Sequence, residues 1–335
     1  MKIYLMSVSL LLTSVYSNTV SAAQTVCVFD LLGRAGESYK MMEEWALASK
    51  HWGAESKLLA YKSEEQADQD FKAGKCDAVY MTTMRARSYN KFAGSVDAMG
   101  GVTSNAIAQK AIMYVLDKRN NKRLKSVIDG VEYEVGGIGQ IGPAYIFVRD
   151  RAINSIEKGA GRKFAVLSYD QAQIEVVKKV GAIPVLSDVS DFIKKFNMGQ
   201  VDMVGAPAYA YKPLEIYKGL GTNGAMFNFP VLQVTADFII RPEKFPAGFG
   251  QKSRDYFVKN LPKSFAMINR LEGAIPAKYK LNLTPADKLK YQKLMREGRL
   301  ELTKMGIYDP AMMSVLKKAR CSVDKANFEC SLGGE

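Results

Sequence analysis

Histidine occurs once, at His51, and that scarcity removes several kinds of chemistry before any fold is considered. A single imidazole builds neither a His-rich metal centre nor a Ser-His-Asp arrangement. The four cysteines, Cys27, Cys76, Cys321 and Cys330, include no C-x-x-C pair, which disfavours a thiol metal site or a catalytic thiol. No G-x-S-x-G, P-loop or H-E-x-x-H occurs. The carboxylate pairs Glu43-Glu44 and Glu64-Glu65 fall on helical segments and read as solvated faces. The chain therefore reads as a non-enzyme, with no cofactor and no metal site.

Long apolar runs are also missing. Beyond residue 23 nothing supplies the roughly 18 consecutive apolar residues of a membrane span. The beginning is different: Lys2, an apolar stretch over 4–15, and Val20-Ser21-Ala22 before Ala23 make a secretory signal over residues 1–23. Gln24-Thr25-Val26 precedes Cys27 where a lipidation box would need small residues. A soluble protein exported to a periplasm is expected, and export makes the cysteines disulfide candidates. Cys27 and Cys76 sit on the first and third strands of the chain, neighbours in a 2-1-3 sheet order, and Cys321 and Cys330 bracket a short polar tail. Cys27–Cys76 and Cys321–Cys330 are the expected pairs.

A net charge of +13 is scattered, and its densest run, 118–125, looks like a solvated connection. Nucleic acid is not an expected partner. The length of 335 residues, with 47% apolar and 24% charged residues, suits two globular domains.

What the chain does contain is a pattern used twice. Phe71-Lys-Ala-Gly74-Lys-Cys-Asp77-Ala-Val79 and Phe196-Asn-Met-Gly199-Gln-Val-Asp202-Met-Val204 both read F-x-x-G-x-x-D-x-V. Each glycine supplies a left-handed cap ending a helix, and each is followed by an apolar run suited to a buried parallel strand. Upstream the order strand, helix, strand, helix also repeats, with strands at 25–30 and 56–61, then at 164–168 and 183–186. Two βαβαβ units imply an α/β fold of two doubly wound lobes. The lobes are placed at 24–148 (with 236–275 returning) and at 149–235. The helix over 37–51 buries Tyr39, Met42, Trp45, Ala48 and Trp52, and another spans 104–117. The run 231–240 is long enough to cross between lobes. Caps at Thr284-Pro285 and Asp309-Pro310 open C-terminal helices, in a segment (276–335) expected to pack across the lobes. Gly137-Ile-Gly139-Gln-Ile-Gly142 fits G-x-G-x-x-G, but a strand-like run and no helix follows Pro143. It is expected to be a tight turn between strands at 131–135 and 144–148, not a nucleotide loop.

Two such lobes, facing each other by the carboxyl ends of their strands and joined by crossing strands, form a cleft that closes by hinge bending. That is the organisation of a periplasmic binding protein. The segments Arg151-Ala-Ile-Asn-Ser-Ile-Glu-Lys-Gly-Ala-Gly-Arg-Lys-Phe-Ala-Val166, Gly181-Ala-Ile-Pro-Val185, Met198-Gly-Gln-Val-Asp202 and Ala206-Pro207 resemble, in this order, the core of DctP-type solute receptors of TRAP transporters. The chain is also similar to a divergent branch of solute-binding proteins of the AdeT type. The resemblance implies capture of a small polar or organic solute for a TRAP-type membrane transporter. Its alternatives are an accessory part of a multidrug efflux system, with efflux components as partners, and a periplasmic enzyme without metal.

The departures bear on the ligand. Where the resembled family places a carboxylate-clamping Arg this chain has Ala165, and where it places a Glu the chain has Gly205. Simple dicarboxylates are therefore disfavoured, leaving amines, sugars, aromatic acids and peptides. Replacement cations near the expected cleft are Arg34, Arg85 and Arg149, the last sharing a strand face with Tyr145. Asp30, Thr82, Thr83, Ser168, Tyr169 and Pro207 lie at strand ends and complete the expected ligand-binding set.

Overall fold

The computed structural model describes residues 23–335, so the secretory segment expected at the start of the chain lies outside the described residues save for its last position. The strands are β1 (Gln24–Phe29), β2 (Ser56–Tyr61), β3 (Ala78–Thr82), β4 (Lys125–Ile128), β5 (Val131–Val148) and β6 (Lys163–Leu167). They continue with β7 (Ile183–Ser187), β8 (Met203–Pro207), β9 (Ala225–Phe227), β10 (Leu232–Ile240) and β11 (Lys280–Leu281). The main path runs β2-β1-β3-β10-β5-β8-β6-β7. The order 2-1-3 thus occurs twice, once in each parallel trio, and β10 and β5 add antiparallel strands between them.

The repeated motif performs the same local work in both lobes. Gly74 (φ 76°) and Gly199 (φ 73°) turn the chain just beyond the helices Glu64–Lys72 and Phe192–Asn197. Phe71 and Phe196 are fully buried. The Asp77 carboxylate accepts from the Thr25 backbone N–H at 2.8 Å, and the Asp202 carboxylate accepts from that of Lys163, also at 2.8 Å. Each Asp therefore fastens the start of its lobe's first strand to the start of its third, and so sets their register. In the first lobe the Cys27–Cys76 disulfide, with Cα atoms 5.9 Å apart, reinforces the same junction.

The crossing strands β5 and β10 pair along most of their lengths and join both trios in one 11-stranded sheet. One expectation needs correcting: the glycine-rich segment is not a turn between two strands. It is the middle of β5, which runs unbroken for 18 residues. The glycines are there because rings press on the strand. A Cβ at Gly137 would lie 2.1 Å from the Phe257 ring, and one at Gly139 would lie 2.1 Å from the Tyr80 hydroxyl. Gly142, at φ 123°, sits where the β5–β10 register shifts beside Val234 and Thr235. A bulge of this kind bends and twists a strand locally.

Helices cover the sheet. Phe249–Gly273 lies along β5, Pro285–Lys304 packs on Gln171–Lys179 of the second lobe, and Pro310–Val323 packs on Asn105–Val115 of the first. The caps act as the sequence indicates: Thr284 accepts from the Asp287 N–H, and Asp309 from those of Ala311 and Met312. Arg299 and Arg320, both buried, bind Glu329 and Glu335 and, with the Cys321–Cys330 disulfide, hold the tail against the body.

The substitution Gly137→Ala drives a methyl group into the Phe257 ring, whose backbone belongs to a packed helix. Thermal and urea melts are expected to show a loss of about 1–3 kcal/mol, the usual cost of overpacking. An unchanged midpoint would contradict the close approach.

Candidate ligand site

Asp30, at the carboxyl end of β1, organises the site. Its Oδ1 accepts from the Leu32 N–H at 2.8 Å, and its Oδ2 accepts from the Ser38 and Tyr39 N–H groups at 2.9 and 3.3 Å. The carboxylate thus lies on the N-terminus of the helix Glu37–Ser49, where the helix dipole favours negative charge. Gly36 makes this possible, since a Cβ there would sit 1.7 Å from the carboxylate oxygen. From the second lobe, the Tyr209 hydroxyl donates to Oδ1 at 2.8 Å.

Between the lobes, beyond these strand ends, lies a cavity of about 160 Å³. Phe29, Leu31, Tyr80, Thr82 and Met84 line it from the first lobe, and Phe164, Leu167, Phe192, Met203 and Pro207 from the second. Ile141, Ala144 and Ile146 of β5 form its floor where the crossing strands pass, and Tyr291 and Met295 of a C-terminal helix also reach it. Ala165 and Gly205, the two departures noted in the sequence, both line it. Among its described lining residues Asp30 alone carries a charge.

Polar contacts hold the lobes together around this space. Tyr169 donates to Glu64 Oε2 at 2.6 Å, and the Arg85 guanidinium stacks 3.8 Å from the Tyr169 ring centre while pairing with Glu64 at 3.2 Å. Arg87 contacts Asp97 of its own lobe and Asp170 of the other, both at 2.9 Å, and faces the Tyr308 ring. Glu64 is fully buried, which corrects its assignment to a solvated face. Burial pushes its carboxyl pKa up, opposed by Arg85 and by hydrogen bonds from Thr82 and Tyr169. Burial likewise raises Asp97 to about 6 despite Arg87. Asp237 of β10, buried behind this network, rises to about 7 because desolvation outweighs the Thr83 hydroxyl it accepts from at 2.7 Å.

The sequence-predicted site residues separate into groups. Asp30, Thr82 and Pro207 line the cavity. Arg85 and Tyr169 join the lobes, and Thr83 sits behind β3 on Asp237. Arg34 and Ser168 are exposed at the surface. Arg149 is spent on the carbonyls of Phe196 and Asn197 at the end of a helix, with its Nη1 2.6 Å from the Phe196 oxygen. Tyr145 donates to Glu272 and lines a different, more open depression with Asn228, Asn269 and Lys280. Residues not singled out from the sequence include Tyr80, Arg87, Asp170 and Tyr209, and Glu64 was noted only as part of a solvated pair. Arg87 had a visible signal, since it follows Arg85 by two positions in the same post-strand loop; the others had none.

A family model described as solute-binding protein AdeT 1/2 matches residues 44–335. The solute-binding protein AdeT1 of Acinetobacter baumannii is 45% identical over 308 residues, 92% of this chain and 100% of that one. AdeT2 of the same organism is 28% identical over 242 residues, 71% of this chain and 99% of its own. Among solved structures, a TRAP periplasmic solute-binding protein from Desulfovibrio salexigens with bound orotic acid superposes at TM-score 0.70 and 13% identity, covering 90% and 99% of the two chains. One from Haemophilus influenzae with bound L-gulonate gives TM-score 0.70 at 11% identity, covering 89% and 99%. At these identities the structural likeness speaks to fold.

Asp237 sets a pH dependence. Native Asp237 keeps its proton up to about pH 7, whereas the unfolded chain releases it near 3.8. The native state therefore binds the extra proton, and the contribution to stability, complete below the lower value, is lost as pH rises through the upper one. Asp237→Asn should remove its share of this fall, which lies between about pH 4 and pH 7, and gain on the order of 4 kcal/mol at pH 8. Melts that keep the wild-type slope would show that another group sets it.

Proposed function

The chain belongs to the AdeT 1/2 family of solute-binding proteins, and from that premise we propose that it captures a small solute between its lobes in the periplasm and delivers it to a TRAP-type membrane transporter. The observation that carries this reading is the interlobe cavity, placed at the strand ends where open α/β sheets receive ligands.

The mechanism is closure by hinge bending. β5 and β10 pass between the lobes, and their register shift near Val234 and Thr235 supplies the place where the pair can flex. In the closed arrangement Tyr209 reaches Asp30, Tyr169 reaches Glu64, and Asp170 reaches Arg87, all across the cleft. A solute that touches both walls adds differential affinity for this arrangement and shifts the population toward it. The polar contacts set the closed geometry and the apolar walls hold the solute. The protein acts by binding rather than turnover, and the transporter recognises the closed shape.

Bound solute stabilises the folded state by mass action, by about 2.7 kcal/mol at a hundredfold excess over Kd. Protein titrated with fractionated periplasmic metabolites is expected to melt at a higher temperature in at least one fraction. In the same fraction its scattering envelope contracts. Fractions that change neither quantity would overturn the receptor reading.

A further inference from the structure

Resting on that receptor reading, we infer that the cavity is built for an uncharged, largely apolar solute about one aromatic ring in size, carrying a single hydrogen-bonding group that meets the Tyr80 hydroxyl. The argument begins with charge. No Arg, Lys or His lines the cavity among the described residues, so a carboxylate entering it would lose its hydration with no cation to replace it. The position at which the resembled receptors carry a clamping Arg is Ala165, which is buried in the wall. The nearby arginines are committed elsewhere: Arg85 to Glu64 and Tyr169, Arg87 to Asp97 and Asp170.

An ammonium fares no better. Asp30 is the single charged lining group, and a carboxylate offers about four acceptor sites. Leu32, Ser38, Tyr39 and Tyr209 already donate to Asp30, two to each oxygen. Its negative charge also rests on a helix N-terminus, so little of either its lone pairs or its field is left for a solute.

Among the described lining side chains, one fully buried polar atom is left without a hydrogen bond. The Tyr80 side chain lines the cavity, and its buried hydroxyl, close to Ser38, lacks a partner in hydrogen-bond geometry. Burial pushes this phenol's pKa up, so it stays protonated and available as a donor. Most of the rest of the wall is apolar, with Phe29, Phe164, Phe192 and Phe227 supplying rings, while the polar Gln173 and Thr82 accept from the backbone N–H groups of Leu167 and Arg85. At about 160 Å³ the space compares with the engineered apolar cavity of about 150 Å³ that accepts benzene. Gly205 keeps this volume open, since a Cβ there would meet only Phe164, at 3.7 Å.

An isosteric series on the full mature chain tests the assignment by calorimetry and thermal shift, using benzyl alcohol, benzylamine at pH 7, benzoate and succinate. Benzyl alcohol is expected to bind at least tenfold more tightly than any of the three ions. Tyr80→Phe should weaken benzyl alcohol by about two- to tenfold while leaving toluene unchanged, as loss of one hydrogen bond predicts. Gly205→Leu should abolish binding of both without lowering the melting temperature. Tighter binding of benzoate, succinate or benzylamine overturns the assignment of an uncharged solute and leaves the receptor reading intact. If no member binds, native mass spectrometry of protein purified from the periplasm decides. A retained charged compound overturns the assignment alone, a retained neutral apolar one supports it, and no retained compound overturns the receptor reading as well.

Discussion

The antiparallel pairing of β5 with β10 carries both lobes, because each strand supplies an edge onto which a 2-1-3 trio adds: β3 joins β10, and β8 joins β5. A pair of long strands is stiff along its length and compliant where a bulge interrupts its ladder. That combination is what the proposed hinge bending would use: the trios keep their internal order and the interrupted ladder takes up the bend. It also explains the glycines of β5. The central strand of a merged sheet must accept the Phe257 and Tyr80 side chains against its backbone, and only residues without a Cβ leave that room.

The site inherits its character from the same arrangement. The carboxyl ends of two parallel trios face each other, so the side chains after each strand meet at the cleft. The polar ones meet there: Glu64 pairs with Arg85 of its own lobe and accepts from Tyr169 of the other, and Arg87 pairs with Asp97 of its own lobe and Asp170 of the other. Buried ion pairs of this kind contribute little net stability because desolvation offsets their attraction. Their value is geometric, since hydrogen-bond directions fix how the lobes meet. With the arginines consumed outside it and Asp30 satisfied within its own wall, the cavity is left mostly to Phe, Met, Val and Ile, with the Tyr80 hydroxyl unpaired.

Much of the architecture was legible from local patterns. The doubled F-x-x-G-x-x-D-x-V motif located two equivalent helix ends and two equivalent strands, and with them the 2-1-3 order from which the Cys27–Cys76 pair follows. The proline-led caps at Thr284 and Asp309 were equally plain. Of the expected ligand residues, Asp30, Thr82 and Pro207 lie in the cavity wall, since position after a strand is a local property. Arg149 and Tyr145 look away from it, toward a helix end and Glu272, because alternation along a strand gives a shared face without saying what covers that face.

The sequence by itself determined the repeated α/β units and their caps, which depend on residues close in the chain, the disulfides, which follow from the repeated strand order, and, through the resemblance it carries, Ala165 in the place of an Arg. Tertiary structure alone decided that Gly137 to Gly142 continue a strand, that Glu64 is buried, and that Arg87 joins its own segment to those of Asp170 and Tyr308. It also decided that the space beneath them is apolar. The physical reason is common to all four. Each depends on a partner more than about 70 residues away or on a neighbouring element's face, and neither periodicity nor spacing encodes a contact between chain segments that only the folded sheet brings together.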